Sequence, residues 1–181
     1  MLGMSIALAA AAVAGPPPAR SEYDIKAAFL YKFAVFAEWP SSALGNTNTP
    51  FTIAILGRDP FGERLEGVIR QQAVHQRSLR FRRYDRVAEA LAEPCHVLFI
   101  AASEQSRLPE ILSGLGSAPI LTVGDTEGYG AGGVMLNLLV RDRGVRFEIN
   151  QPAVSRVGLR VSAQLLDLAV KPGSPPKAKG P

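Results

Sequence analysis

The sequence predicts an α/β fold: a single domain with a mostly parallel central sheet, helices on both faces of that sheet, and closure by an antiparallel hairpin and a long C-terminal helix. Strand patterns at residues 51–56, 79–84, 96–101 and 120–123 alternate with segments of helical periodicity, which is the pattern of successive strand and helix units. Residues 134–149 hold two further apolar runs around a charged turn, as expected for a hairpin. The 181-residue chain is 47% hydrophobic, which is enough for the core of one domain.

The first predicted helix spans residues 21–39 and ends at Pro40. Lys26 and Lys32 are its only cations, so we expect its aromatic stripe to pack on the domain rather than on a membrane surface. The stripe consists of Ile25, Phe29, Phe33 and Phe36. Further helices are predicted at residues 61–71, 86–92 and 104–115.

The second strand of the hairpin alternates with a period of two residues. Its apolar side chains, Val145, Phe147 and Ile149, are predicted to point into the core. The opposite face then carries Arg146, Glu148 and Asn150, and it is a candidate partner surface.

The long C-terminal helix is predicted to begin at Asn150, whose side chain can cap it, and to run to Leu168. Apolar residues cover much of its circumference, so the helix is expected to be covered on two sides, by the sheet and by another helix or subunit. The second of its two apolar stripes consists of Leu159, Leu166 and Val170 and is a candidate dimer surface, with intramolecular packing as the alternative.

The ends of the chain differ from the domain, which is predicted to span residues 21–170. Residues 1–20 read as a signal peptide with an apolar run and a Pro-rich linker, although an ordinary buried helix is the alternative. The run is too short for a membrane anchor, so the exported protein is not expected to span the membrane. Residues 171–181 are rich in Pro, Gly and Lys and are predicted to be disordered.

The net charge of +4 does not make this a nucleic-acid-binding protein. Four of the 20 basic residues lie outside residues 21–170, which leaves 16 basic against 16 acidic residues in the predicted domain. A domain of zero net charge lacks the field that attracts polyanions.

No catalytic, cofactor-binding or metal-binding constellation is recognisable. Gly128, Gly130 and Gly133 spell GxGxxG, but a strand follows them, whereas a dinucleotide site requires a helix. Cys95 and His96 are adjacent, so in a strand they point to opposite faces. A single cysteine also excludes an internal disulfide.

Two further groups of residues are candidate binding sites. Arg80 and Arg82 belong to a cluster of arginines on the second strand, which is either a charged surface near the sheet edge or a partner surface. The carboxyl ends of the parallel strands are the expected place for a small ligand. These strand ends carry Arg58, Asp59, Ser103, Glu104, Gly124 and Asp125.

Seven runs along the chain are together similar to the YfiR family of periplasmic proteins, which includes the HmsC-type regulators. They occur in the family's order and cover nearly all of residues 22–170. The runs are KAAFLYKFAVFAEWP (26–40), ILGRDPFGERL (55–65), CHVLFI (95–100), LTVGD (121–125), GGVMLNLLV (132–140), VRFEIN (145–150) and GLRVSAQLLDLA (158–169).

This resemblance implies a periplasmic α/β domain, often a homodimer, without enzymatic activity. In the best-known systems of the family, such a protein binds the periplasmic domain of a membrane-bound diguanylate cyclase and represses it, which lowers cyclic di-GMP and biofilm or exopolysaccharide output. An OmpA-like outer-membrane lipoprotein sequesters the repressor. Some members carry disulfides, which the lone Cys95 cannot form internally. The alternative is a periplasmic module that senses a small molecule and acts on another membrane receptor or kinase.

Overall fold

A computed structural model describes residues 21–141 and 144–170. The predicted signal peptide, the predicted tail and part of the charged turn of the hairpin lie outside these residues. The helices of the described chain are α1 (Glu22–Phe36), α2 (Ser41–Leu44), α3 (Glu63–Ile69), α4 (Val87–Ala92), α5 (Leu108–Leu115), α6 (Gln151–Arg156) and α7 (Ala163–Leu168), with a 3₁₀-helix at Ala102–Arg107. The strands are β1 (Ala37–Glu38), β2 (Phe51–Leu56), β3 (Ala73–Val74), β4 (Arg77–Tyr84), β5 (Val97–Ile100), β6 (Leu121–Gly124), β7 (Leu136–Arg141), β8 (Gly144–Ile149) and β9 (Arg160–Val161).

Seven of these strands form one sheet in the order β3-β4-β2-β5-β6-β7-β8. The five central strands run parallel, while β3 and β8 pair antiparallel with their neighbours at the two edges. The predicted α/β class, with a mostly parallel sheet closed by a hairpin, is therefore confirmed.

Two apolar cores lie on the two faces of the sheet. In β2, Ile53 and Ile55 belong to the core under α1 and α3, whereas Ala54 and Leu56 belong to the core under α4 and α5. Successive residues of a strand point to opposite faces, so a strand that is covered on both faces is apolar at every position. This arrangement explains the uninterrupted apolar runs in the sequence.

Helix α1 packs along the first of these faces, as predicted. Ser21 and Asp24 form a capping box at its N-terminus, in which each side chain accepts a hydrogen bond from the backbone of the other. The ring of Phe33 is fully buried and meets the ring of Phe147 on β8 at 5.1 Å. Phe29 lies 5.5 Å from the same ring, so the aromatic stripe contacts the sheet.

The predicted long C-terminal helix is wrong, because the segment divides into α6, β9 and α7. Gly158 adopts φ +76°, a conformation that favours glycine and ends helices. Strand β9 then pairs antiparallel with β1, and the side chain of Ser162 caps α7 by accepting from the amide of Leu165. The apolar periodicity of this segment fits one continuous helix, but the helix-terminating Gly158 and the capping Ser162 divide the segment.

His96 lies immediately before β5 and is almost fully buried. Its Nδ1 accepts a hydrogen bond from the backbone amide of Thr52 at 3.0 Å, and its ring stacks on Phe51 with centroids 4.4 Å apart. Burial lowers the pKa of His96 to about 4. The neutral imidazole is therefore part of the folded core.

We expect this histidine to make stability depend on pH. Between the unfolded pKa near 6.5 and the folded pKa of about 4, the unfolded chain binds a proton that the folded chain does not, so stability falls as the pH falls through this range. The loss between pH 7.5 and 5.0 is about 2 kcal/mol. Urea unfolding of the native protein and of His96→Asn at both pH values measures it. An equal pH dependence in the two proteins would contradict this assignment.

Candidate functional site

The structure holds two candidate binding sites, one at the carboxyl ends of the parallel strands and one at the β8 edge of the sheet. The first is an open cavity of about 380 Å³, here called the strand-end crevice. It brings together the four predicted ligand-loop residues, which follow β2, β5 and β6. The lining residues are Tyr23, Arg58, Asp59, Pro60, Ala102, Ser103 and Asp125.

The crevice lies where the topology of the sheet changes direction. From β2 the chain passes through α3 to β4 on one side of β2, and it later enters β5 on the other side. Helix α3 covers one face of the sheet and α5 covers the other. The loops that leave β2 and β5 therefore diverge, which opens a gap at such a switch point.

A buried ion pair forms one wall of the crevice. The ammonium of Lys26 on α1 lies 2.8 Å from Oδ2 of Asp125, and the two side chains are only 4% and 5% exposed. The Tyr23 hydroxyl donates to the same oxygen at 3.1 Å. Burial alone lowers the pKa of Lys26, but hydrogen bonds to Asp125 and Glu22 outweigh it and raise that pKa. Burial and the charge of Asp125 raise the pKa of Tyr23, so its hydroxyl keeps its proton.

The opposite wall is held by Ser103. Its hydroxyl accepts from the amide of Arg58 at 2.9 Å and donates to Oε1 of Glu104 at 3.2 Å. Gly57, with φ +88°, approaches so closely that a Cβ there would lie 2.5 Å from both side-chain oxygens. The loop after β2 is thus fastened to the 3₁₀-helix. Glu104 is buried behind Ser103, and Gly124 ends β6 with its Cα against the Tyr129 ring, so neither lines the crevice.

Asp59 lines the crevice, but both of its carboxylate oxygens already have partners within the domain. One of its oxygens accepts from the amides of Phe61 and Gly62, and the other accepts from Nε of Arg83 at 2.8 Å. Its role is therefore to hold the loop after β2. Arg58 is exposed and forms no ion pair within the described residues.

The second site is a cavity of about 550 Å³ between α1, β8 and α7, here called the edge groove. Its walls are mainly apolar, and Leu168 at its rim is 68% exposed. β8 is the outermost strand, and the described chain covers its free edge with a single bridge from Val170 to Glu148. The lining residues are Phe29, Lys32, Phe36, Val145, Arg146, Phe147, Gln164, Leu165, Asp167 and Leu168.

The predicted partner residues border two different cavities. Arg146 is exposed at the edge groove, and Glu148 lines a separate cavity under the loop of residues 125–132. Asn150 caps α6 through Ala153 and donates to the carbonyl of Gly130, so its polar groups are used within the domain. The alternation in β8 that separates Arg146 and Glu148 from the core is confirmed.

The second predicted partner group lies far from the first. Arg80 and Arg82 are on β4, which is near the other edge of the sheet from β8. The guanidinium of Arg82 lies 3.5 Å from Glu93. β4 is flanked on its outer side only by the two-residue β3 within the described chain, so the interpretation of these arginines as a charged surface near the edge fits their position.

The candidate dimer stripe requires correction, because its three residues are not on one helix. Leu159 lies before β9 and is buried in the core, Leu166 lies on α7 and is half-buried, and Val170 follows α7. These residues share one face only if the segment that carries them forms a single continuous helix. The homodimer itself remains a prediction.

The cysteine and histidine that sequence singled out are structural. Burial and the charge of Glu93 raise the pKa of Cys95 to about 12, so it is a protonated thiol rather than a nucleophile. Gly128, Gly130 and Gly133 lie in the loop before β7, and no helix opens there. Within residues 21–141 and 144–170, no group of three or more His, Cys, Asp or Glu side chains is placed to hold a metal ion.

Sequence reasoning missed Tyr23 and the role of Lys26. Lys26 lies in a helix that is apolar at most of its positions, and this is a signal that its charge is buried and paired. The partner, Asp125, is 99 positions away, and nothing local indicates the pairing.

These features define an α/β domain with two open cavities that are candidate binding sites. The family model for YfiR/HmsC-like proteins matches residues 23–170, and the chain therefore belongs to the YfiR/HmsC-like family. Members of this family are periplasmic regulators rather than enzymes. Among the described residues, no helix has the length and apolar character needed to cross a membrane.

A solved structure supports the fold. A conserved domain protein from Vibrio cholerae O1 biovar El Tor has 15% sequence identity to this chain and a TM-score of 0.51. The match covers 66% of this chain and 54% of that one, so the chain spans about half the length of its structural neighbour. No curated protein matches this sequence.

We expect loss of Lys26 to be more damaging than loss of its partner. Lys26→Met leaves the buried Asp125 carboxylate with the Tyr23 hydroxyl alone, which lowers the free energy of unfolding by about 3 kcal/mol. Asp125→Asn lowers the free energy of unfolding less, because Glu22 still pairs with Lys26. Urea unfolding measures both, with the exposed Lys32→Met as the control. If Lys26→Met and Lys32→Met were equally stable, the ion pair would not hold α1 to the sheet.

Proposed function

We propose that this protein is a periplasmic, non-enzymatic regulator that binds the periplasmic sensor domain of a membrane-bound diguanylate cyclase. By holding the cyclase inactive, it lowers cyclic di-GMP and biofilm or exopolysaccharide output. Membership of the YfiR/HmsC-like family supports the signalling system. The edge groove is the observation that supports binding of a protein partner.

The groove has the properties of a protein-binding surface. It is open, its walls are mainly apolar, and it borders a strand edge whose backbone groups are largely free in the described chain. An exposed leucine next to Phe29 and Phe36 provides apolar area that a partner can remove from water. Lys32, Arg146 and Asp167 at the groove supply charges that orient the partner.

Repression follows from binding only under one thermodynamic condition. The regulator lowers cyclase activity if it binds the inactive conformation of the sensor domain more tightly than the active one. On the same family resemblance, we propose a homodimer as the working form and an OmpA-like outer-membrane lipoprotein as the protein that sequesters it. Sequestration then raises cyclase activity by removing the repressor from the binding equilibrium.

We expect Leu168→Asp to weaken binding to the sensor domain by about tenfold or more, because a carboxylate at the groove must lose its water. Calorimetry with the periplasmic domain of the cyclase encoded nearest to this gene measures the dissociation constant. Leu91→Asp is the matched control, since Leu91 is a 48% exposed leucine on α4, which covers the other face of the sheet.

Circular dichroism of both variants shows that they are folded. Equal weakening by Leu168→Asp and Leu91→Asp would place the interface elsewhere. No binding by the folded native protein would refute the proposed partner.

A further inference from the structure

The strand-end crevice has the size and polarity that suit a small polar ligand. We propose that the crevice binds a small hydroxylated organic anion, with the Arg58 guanidinium holding its acid group and the Asp125 carboxylate accepting from its hydroxyl. The binding is a property of this protein alone and does not depend on the cyclase partner.

The charges around the crevice identify the sign of the ligand. Each carboxylate near it already has a cation from the protein: Asp59 has Arg83 at 2.8 Å, Asp125 has Lys26 at 2.8 Å, and Glu104 has Arg107 at 3.5 Å. Among the lining residues, Arg58 is the charge that no described ion pair compensates. Lys26 and Arg83 are also shared with Glu22 and Glu66, so the cluster has no surplus of positive charge, but an anion that pairs with Arg58 displaces no carboxylate of the protein.

The chemistry of arginine limits the acid group of the ligand to two kinds. Its planar guanidinium presents two parallel N–H donors that match a carboxylate or a phosphate. The backbone of Arg58 is fixed by the bond from its amide to Ser103, and Gly57 holds the loop against Glu104. The side chain therefore extends from a rigid base.

Asp125 identifies the second group of the ligand. Its Oδ2 accepts from both Lys26 and Tyr23, while its Oδ1 makes no hydrogen bond within the described residues. That oxygen is an acceptor available to a ligand hydroxyl. The Tyr23 ring, fixed edge-on against Phe61 at 5.4 Å, and the apolar Pro60 and Ala102 leave room for a carbon body between the two polar ends.

The size of the crevice limits the ligand to a small metabolite. A cavity of about 380 Å³ lies at the lower end of the range of small-molecule sites. It is open to solvent and is lined by loops from three strands and by α1, so no rearrangement of the sheet is needed for entry.

Four probes separate the possible acid groups. L-lactate and glycerol 3-phosphate carry a hydroxyl next to a carboxylate or a phosphate, whereas acetate and inorganic phosphate carry the acid group alone. Titration of the ¹⁵N-labelled native protein, followed by amide chemical shifts, gives both the site and the affinity.

We expect saturable shifts at the amides of residues 58, 59, 102, 103 and 125, with each hydroxylated probe binding more tightly than its simple counterpart. Whichever of lactate and glycerol 3-phosphate binds more tightly shows whether the acid group is a carboxylate or a phosphate. Arg58→Gln should weaken binding by about tenfold or more. Arg70→Gln should leave it unchanged, because Arg70 is likewise exposed and without a described ion pair but lies at the end of α3.

Three results would overturn the inference: shifts confined to other surfaces, full affinity in Arg58→Gln, or no binding of any probe in the millimolar range. If acetate bound as tightly as lactate, the role given to Asp125 would be wrong. The titration contains no cyclase domain, so its failure is distinct from a failure of the proposed function.

Discussion

The buried ion pair between Lys26 and Asp125 is the contact on which the arrangement of the domain depends. Two charges removed from water are stable only when they meet, so the pair sets the rotation of α1 about its axis and its position along the sheet. With Lys26 directed to the strand ends, Phe33 faces the sheet and Phe29 and Phe36 face the β8 edge. Both candidate sites follow from this placement.

Helix α1 is a wall of both cavities. Tyr23 near its N-terminus lines the strand-end crevice, and Phe29, Lys32 and Phe36 further along line the edge groove. A proposed ligand site and a proposed partner site that share one helix suit a regulator, because a ligand acts on a partner only through structure that the two share. The fold alone does not assign a function, so the proposed function depends on these two sites.

The two edges of the sheet carry different kinds of side chain. Near the β3 edge, β4 carries arginines, and Arg83 is held by Asp59 and Glu66 at 2.8 and 2.9 Å. Charged side chains on a strand discourage further strands from adding to it. At the other edge, Val145 and Phe147 of β8 face the apolar groove, with α7 and Val170 as a partial cover. The β8 edge is therefore the one suited to an interaction.

The sequence by itself determined the local structure. Uninterrupted apolar runs marked the central strands, alternation marked β8, and the strand ends that hold Arg58, Ser103 and Asp125 were placed correctly at one edge, because parallel strands end together. The tertiary structure alone decided the pairing of β9 with β1 and the pairing of Lys26 with Asp125. Periodicity reports that a side chain is buried but not what buries it, so Leu159 fitted a helical stripe as well as it fits the core. Contacts between distant residues depend on how whole elements pack, and no local pattern encodes them.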